Sequence, residues 1–142
     1  MLKKMKGKFV SVSSKATEEL GAQLATSLQG HETLAFFGDL GSGKTTFLKG
    51  VISTLTNCSS HEITSPTFTY MQLYEGKYPI YHFDLYRLSN AEQFESAGFS
   101  EYLGKGVCCI EWAEKIAEKL PENTIQVVID YLEQGSREIH IS

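Results

Sequence analysis

The sequence predicts an α/β domain in which helices flank a mixed sheet of parallel and antiparallel strands. Three observations lead to this prediction. Short apolar segments typical of buried strands alternate with segments of helical periodicity along the chain. Two pairs of strand-like segments are each joined by a short turn, so part of the sheet is expected to be antiparallel. The length of 142 residues, 42% of them hydrophobic, suits one domain over residues 1–142 with a single core.

The first half of the chain is expected to form a strand, a helix, a buried strand and a second helix. These predicted elements are Phe9–Val12, Ser14 to about Leu28, Thr33–Phe37 and Lys44–Leu55, followed by an irregular polar segment over residues 56–65. Ser14 is a suitable N-cap for the first helix, and Gly30 is a suitable residue to end it.

The second half is expected to form two hairpins with a short helix, a buried strand and another helix between them. The predicted strands are Thr67–Tyr74, Tyr78–Tyr86, Val107–Ile110, Ile125–Tyr131 and Glu138–Ile141. A capping box at Ser89 and Glu92 predicts the start of the short helix, which Gly98 ends. The later helix is predicted over Trp112–Leu120, before Pro121.

A glycine-rich loop connects the predicted strand Thr33–Phe37 to the helix that follows it. Its residues fit the pattern G-x-x-x-x-G-K-[ST] at every position: Gly38, Asp39, Leu40, Gly41, Ser42, Gly43, Lys44 and Thr45. Glycines let backbone N–H groups point at phosphate oxygens, and the positive end of the helix adds to that attraction. Lys44 is expected to contact the β- and γ-phosphates, and the Thr45 hydroxyl to bind Mg²⁺. We therefore predict a P-loop NTPase-like domain that binds a nucleotide.

A second carboxylate at the end of a buried strand usually helps to hold Mg²⁺ in such a site. Three predicted strands lead into acids, at Asp84, Glu111 and Asp130. Glu111 follows the most uniformly apolar strand and is the favoured metal ligand. Asp84 follows a more amphipathic strand, where a switch or water-orienting role suits it better. Asp130 precedes a turn, in which aspartate is common, and His82 is expected to be a hydrogen-bonded structural residue.

Composition indicates the location and the kind of partner. The net charge of −4 argues against a chain that binds nucleic acid through its own surface. Cys58, Cys108 and Cys109 form no C-x-x-C pair, and buried free thiols are typical of a reduced, cytoplasmic protein. The lysine-rich N-terminus lacks the apolar segment of a signal sequence, and no apolar run approaches the ~20 residues of a membrane span.

Arginine is scarce, since Arg87 and Arg137 are the two in the chain. Small-molecule P-loop kinases usually close an arginine-bearing lid over the transferred phosphoryl group. The chain has no lid-sized insertion, and neither arginine is an obvious built-in cation for that group. These observations count against an autonomous small-molecule kinase, which remains the alternative prediction. A second alternative is an ATP-sensing binding module without useful turnover.

Five segments of the chain resemble the TsaE family, formerly the YjeE ATPases, in the same order and with similar spacing. They are GDLGSGKTTF (Gly38–Phe47), SPTF (Ser65–Phe68), YHFDLYRL (Tyr81–Leu88), IEWAE (Ile110–Glu114) and IDYLEQGSRE (Ile129–Glu138). The resemblance spans roughly residues 9 to 141. The HFDLYRL and IEW segments are far more specific than the P-loop alone.

The resemblance implies an Mg²⁺-dependent ATPase required for making threonylcarbamoyladenosine in bacterial tRNAs that read ANN codons. It implies the TsaD–TsaB complex as protein partner, with tRNA contacted only indirectly. We expect the isolated chain to be a monomer and a slow ATPase.

The resemblance also assigns roles to particular residues. It implies that Gly41–Thr46 binds the phosphates, that Thr45 and Glu111 hold Mg²⁺, and that Lys44 and Asp84 act in hydrolysis. It implies that Ser65–Phe68 is a mobile switch-like segment. It also implies that the Ser14–Thr17 segment, which begins with Ser14, and the turn from Gly135 to Arg137 lie near the nucleotide base.

Overall fold

The computed structural model describes residues 5–39, 41, 43–66 and 68–142, so the predicted positions Leu40, Ser42 and Thr67 lie outside the described residues. Within those residues the strands are β1 Gly7–Ser11, β2 Thr33–Phe37, β3 Met71–Glu75, β4 Pro79–Asp84, β5 Val107–Glu111, β6 Ile125–Tyr131 and β7 Arg137–Ile141. The α-helices in the same part of the chain are α1 Ser14–Ala25, α2 Lys44–Leu55 and α3 Ala91–Ser96, and 3₁₀ segments span Ser60–Glu62, Phe99–Tyr102 and Ala113–Lys119.

The strands form one seven-stranded sheet in the order β1-β7-β6-β2-β5-β4-β3. The four inner strands are parallel, with β2 paired to both β5 and β6, and β4 paired to β5. The outer pairs β1–β7, β7–β6 and β4–β3 are antiparallel. The predicted mixed α/β sheet is confirmed. Because β2, β4 and β5 are parallel, their carboxyl ends meet at one edge, where the ligands of open α/β sheets usually bind.

Both faces of the sheet are covered by apolar packing. Helices α1 and α2 pack on one face in a cluster that includes Leu24, Phe36, Phe47, Ile52, Ile80 and Ile129. The 3₁₀ segments Phe99–Tyr102 and Ala113–Lys119 cover β2, β4 and β5 on the other face together with α3, in a cluster that includes Ala35, Phe83, Phe94, Cys108 and Ile116. Cys108 and Cys109 are buried free thiols, as expected. No helix in the described part of the chain is long and apolar enough to cross a membrane.

Helices α1 and α2 approach so closely that their backbones touch at two glycines. A Cβ added to Gly21 would lie 2.0 Å from the carbonyl oxygen of Phe47, and one added to Gly50 would lie 1.9 Å from that of Glu18. Larger residues would force the helices apart. This contact holds α2 against the domain, and the first turn of α2 carries Lys44 and Thr45.

The helix boundaries correct two capping predictions. Ser13, not Ser14, caps α1, because its Oγ accepts a hydrogen bond from the Ala16 N–H at 3.0 Å. Helix α1 ends at Ala25, before the predicted Leu28. Asn90, not Ser89, caps α3, because its Oδ1 accepts from the Gln93 N–H at 2.9 Å. In both cases the residue next to the predicted cap supplies the side-chain oxygen that accepts a hydrogen bond from a backbone N–H of the first helical turn.

Several other boundaries also differ from those predicted. Strand β1 begins two residues early, at Gly7, and β4 ends at Asp84 instead of Tyr86. Strand β3 begins at Met71, because Tyr70 has a φ of 65°, which an extended strand does not accommodate. The predicted α-helix over Trp112–Leu120 is a 3₁₀ segment that Ile116 interrupts with a φ of −128°.

Candidate nucleotide-binding site

The phosphate loop lies between β2 and α2, at the edge where the parallel strands end. Gly41 and Gly43 have φ values of 81° and 112°, a left-handed conformation that favours glycine. Gly43 is the N-cap of α2 and offers no side chain to cap the first helical turn. N–H groups of a first helical turn bind anions. The described part of the loop therefore has the backbone geometry of a phosphate site.

Lys44 is the first residue of α2, and its side chain is only 5% exposed. Its Nζ donates a hydrogen bond to the carbonyl oxygen of Gly38 at 2.6 Å and lies 3.7 Å from the ring centroid of Trp112. Burial lowers the pKa of Lys44, and the negative charges of Glu111 and Asp84 oppose that shift. The structure thus holds a cation beside the phosphate loop.

Asp84 and Glu111 end the neighbouring parallel strands β4 and β5, where they are register partners. Both are buried, with 5% and 3% of their surface exposed. The Thr45 hydroxyl donates to Oε1 of Glu111 at 3.0 Å. The adjacent strand ends therefore bring the candidate catalytic and metal-binding acids together beside the first turn of α2.

The hydroxyl of Ser65 lies between the two carboxylates. Its Oγ is 2.5 Å from Oδ2 of Asp84 and 2.8 Å from Oε2 of Glu111. A serine hydroxyl has one proton, so it donates to one of these carboxylates at a time.

His82 is fully buried two residues before Asp84, and its Nε2 lies 2.7 Å from Oε2 of Glu111. The prediction of a hydrogen-bonded histidine is confirmed, but its partner is the candidate metal ligand itself. Burial favours the neutral Glu111 carboxyl. Hydrogen bonds from His82, Ser65 and Thr45, together with the His82 charge interaction, nevertheless hold its pKa below the ordinary value of 4.5.

These groups surround a cavity of about 280 Å³. Its described lining residues are Gly41, Gly43, Lys44, Thr45, Thr46, Ser65, Asp84, Glu111, Trp112 and Arg137. The cavity brings together residues that are far apart in the sequence and were predicted independently as phosphate, metal and catalytic groups. Trp112 has no predicted site role, although it directly follows Glu111 in the IEW segment.

Trp112 has a left-handed backbone, with φ 61° and ψ 40°, which is unusual for a bulky residue. Its ring packs against Tyr86 with centroids 5.1 Å apart and lies beside the Lys44 ammonium. The turn after β5 therefore places an aromatic face against the phosphate-loop lysine, where the cation–π attraction holds that lysine in place.

Arg137, the first residue of β7, lies against the phosphate loop. A Cβ added to Gly43 would be 2.6 Å from its Nε. One of its guanidinium nitrogens donates to the Gly135 carbonyl oxygen at 3.0 Å. The position of β7 in the sheet therefore brings a permanent cation to the cavity. The family resemblance implies that Arg137 lies near the nucleotide base, and the structure places it against the phosphate loop.

Several other residues singled out in the sequence are not among the described lining of the cavity. Ser14 is exposed in the first turn of α1, which follows β1, and Ser11 of β1 is the register partner of Arg137. Gly135 is in the β6–β7 turn with a φ of 81°, and Asp39 is exposed in the loop after β2. Gly38 contributes the carbonyl oxygen that holds Lys44, and Asp130 is exposed on β6.

A strand–glycine loop–helix unit, with a buried lysine and with carboxylates at the ends of adjacent parallel strands, defines a P-loop protein. A family model described as "Threonylcarbamoyl adenosine biosynthesis protein TsaE" matches residues 11–139. The chain therefore belongs to the TsaE family, and the resemblance found in the sequence is confirmed.

Individual relatives agree with this assignment. A Treponema pallidum protein is 40% identical over 134 residues, which cover 94% of this chain and 98% of that protein. A Bacillus subtilis protein is 38% identical over 93% of this chain and 82% of its own length. Both are named tRNA threonylcarbamoyladenosine biosynthesis protein TsaE. The crystal structure of YdiB from Bacillus subtilis superimposes with a TM-score of 0.74 at 32% identity, covering 99% of this chain and 87% of YdiB.

Proposed function

We propose that this chain is an Mg²⁺-dependent ATPase that acts in tRNA threonylcarbamoyladenosine biosynthesis together with the TsaD–TsaB complex. Family membership supports the pathway. The observation that carries the ATPase proposal is the convergence of Lys44 and Thr45 of the phosphate loop with Asp84 and Glu111 at one cavity. Phosphoryl transfer depends on positioning and charge stabilisation, and these side chains have the chemistry for both.

Lys44 and Arg137 are the cationic side chains among the described residues that line the cavity. We propose that the Lys44 Nζ leaves the Gly38 carbonyl oxygen to bind β- and γ-phosphate oxygens, while the loop N–H groups bind the remaining charge. Arg137, against Gly43, approaches the same loop from β7. Both side chains already line the cavity, so nucleotide binding requires Lys44 to exchange one hydrogen-bond partner and not to be ordered from solvent.

Thr45 and Glu111 are the residues that would hold Mg²⁺. The donor set fits this ion, because Mg²⁺ prefers oxygen ligands and is usually bound by one or two protein groups together with substrate phosphates. The Thr45 hydroxyl and the Glu111 Oε1 already lie 3.0 Å apart. When bound, Mg²⁺ supplies positive charge to the β- and γ-phosphate oxygens.

Asp84 is the proposed water-orienting group. Its Oδ1 accepts a hydrogen bond from the Tyr86 N–H at 3.0 Å, and its Oδ2 contacts the Ser65 hydroxyl. These contacts fix the carboxylate plane. A movement of Ser65 would release Oδ2 to accept a proton from water and to orient that water toward the phosphoryl group.

We propose that the partner adds a further cation to those that Lys44 and Arg137 already bring to the cavity. A cation added in trans is worth about 10³–10⁵ in the rate of phosphoryl transfer. Arg87, the second arginine, lies over the exposed ring of Phe68 at 4.2 Å and is not part of the described cavity lining. We propose slow hydrolysis by the chain alone and acceleration by TsaD–TsaB. The net charge of −4 favours a protein contact over direct contact with tRNA, and we place the reaction in the cytoplasm.

Steady-state phosphate release by the purified chain, with and without TsaD–TsaB, tests this proposal. We expect slow Mg²⁺-dependent hydrolysis that changes markedly with the partners, and slower hydrolysis by Glu111→Gln at a fixed, sub-saturating Mg²⁺ concentration. Asp130→Asn, at an exposed strand residue, is the matched control and should behave as wild type. A partner-independent turnover of about 1–100 s⁻¹, as in kinases, would contradict the proposal and favour an autonomous enzyme.

A further inference from the structure

Among the described residues, one of the two ring nitrogens of His82 has a hydrogen-bond partner and the other has none. The Nε2 atom is 2.7 Å from Oε2 of Glu111, while Nδ1 is buried with no hydrogen-bond partner among the described residues. An ionised carboxylate only accepts hydrogen bonds, so Nε2 is the donor and carries a proton. Among the described residues, the carboxylate of Glu111 is therefore the one polar partner of the imidazole.

Packing does not explain why a histidine occupies this position. A buried polar atom without a partner destabilises the folded state. An apolar side chain of similar size would fill the same space in the sheet without leaving Nδ1 unsatisfied. The favourable interaction that requires the imidazole is its hydrogen bond to Glu111.

The two oxygens of Glu111 have different surroundings. Oε1 accepts from the Thr45 hydroxyl, whereas Oε2 is in contact with His82 and Ser65. Ser65 lies outside the strands and helices, in the segment for which a switch-like movement is proposed. His82 is inside β4, in register with Cys109 of β5, so its position is set by the sheet. Of these two contacts, His82 is the one fixed by regular structure.

We propose that His82 is a positioning residue for Glu111: its imidazole anchors Oε2 and so directs Oε1 toward Thr45 and the Mg²⁺ of the proposed site. This inference rests on the proposed function. The anchor stays in place when Ser65 moves, so the carboxylate keeps its orientation through the catalytic cycle. Groups that orient metal ligands in this way typically change metal affinity by about 10–100-fold when they are removed.

The test is the Mg²⁺ requirement of nucleotide binding, measured by calorimetry with a non-hydrolysable ATP analogue. We expect His82→Leu to need about 10–100-fold more Mg²⁺ for half-maximal binding. Its affinity for the analogue in EDTA should equal that of wild type. His82→Gln, whose amide N–H extends toward Glu111, should recover part of the loss, and the shorter His82→Asn should not. His140→Leu, on the exposed side of β7, is the matched control.

Each result bears on the inference in a defined way. An unchanged Mg²⁺ requirement in His82→Leu overturns it, and so does an equal loss of affinity with and without Mg²⁺. If circular dichroism shows that His82→Leu does not fold, the Gln and Asn variants decide, and equal Mg²⁺ requirements in the two overturn it. Wild-type protein that binds no analogue at any Mg²⁺ concentration would instead contradict the proposed function, which separates the two failures.

Discussion

Replacement of Lys44 by alanine is the most direct test of the phosphate loop. The Lys44 side chain contacts the Gly38 carbonyl oxygen at 2.6 Å and the Trp112 ring at 3.7 Å, and it belongs to neither apolar cluster. Lys44→Ala should therefore leave the fold intact. The lost charge-assisted contact with phosphate is worth about 1.5–3 kcal/mol, which corresponds to roughly 10- to 100-fold weaker nucleotide binding.

Calorimetry with Mg²⁺ and a non-hydrolysable ATP analogue measures this loss, and thermal unfolding checks the fold. Lys49→Ala is the matched control, because Lys49 is half-buried on the same helix and is not among the described residues lining the cavity. We expect the control to bind as wild type does. Unchanged affinity and turnover in Lys44→Ala would refute the reasoning, since the lysine would then not face the phosphates.

Glu111→Ala should raise the Mg²⁺ concentration needed for activity, whereas Asp84→Ala should lower turnover and keep nucleotide binding. A Mg²⁺ titration of initial rates separates the two variants. Reversed phenotypes would mean that the roles of Glu111 and Asp84 are exchanged. The hydrogen bonds that hold the pKa of Glu111 below 4.5 stabilise its charged form in the fold. Because the folded-state pKa is the lower one, this stabilisation is present above the unfolded-state pKa and is lost as pH falls through the folded-state pKa. The free energy of unfolding of Glu111→Gln, measured by urea unfolding, should therefore depend less on pH in that acidic range than the free energy of unfolding of wild type. Parallel plots of the two free energies against pH would contradict this. Gly50→Ala should destabilise the fold by about 1–3 kcal/mol despite the higher helix propensity of alanine, because the added Cβ would overlap the Glu18 carbonyl oxygen. Thr54→Ala, at an exposed position of the same helix, is the control. Equal stability of the two variants would argue against close helix packing.

Local sequence signals were sufficient where the structure depends on near neighbours. The phosphate loop lies between β2 and α2, as its spacing predicts, and the two hairpins account for the antiparallel pairs β3–β4 and β6–β7. Boundaries were less predictable. Ser13 and Ser14 are both suitable caps, and the choice between them depends on which backbone N–H each oxygen reaches.

The 3₁₀ segment Ala113–Lys119 could not be predicted from its helical composition. It follows Trp112, whose left-handed backbone turns the chain sharply at the end of β5. That conformation holds the indole against Lys44 and Tyr86, which lie far away in the sequence. Tertiary contacts therefore override local helix propensity at this point.

The sequence alone determined the P-loop, the α/β class, the family resemblance and the candidate acids Asp84 and Glu111, because these depend on residue type and short spacing. Only the tertiary structure decided that His82 and Ser65 contact Glu111 and that Arg137 lies against Gly43. The physical reason is strand order: β4 and β5 become neighbours, and the β1–β7–β6 strands join the sheet beside β2. Pairings between strands distant in sequence bring these side chains to one cavity, and no local pattern of residues encodes that distance.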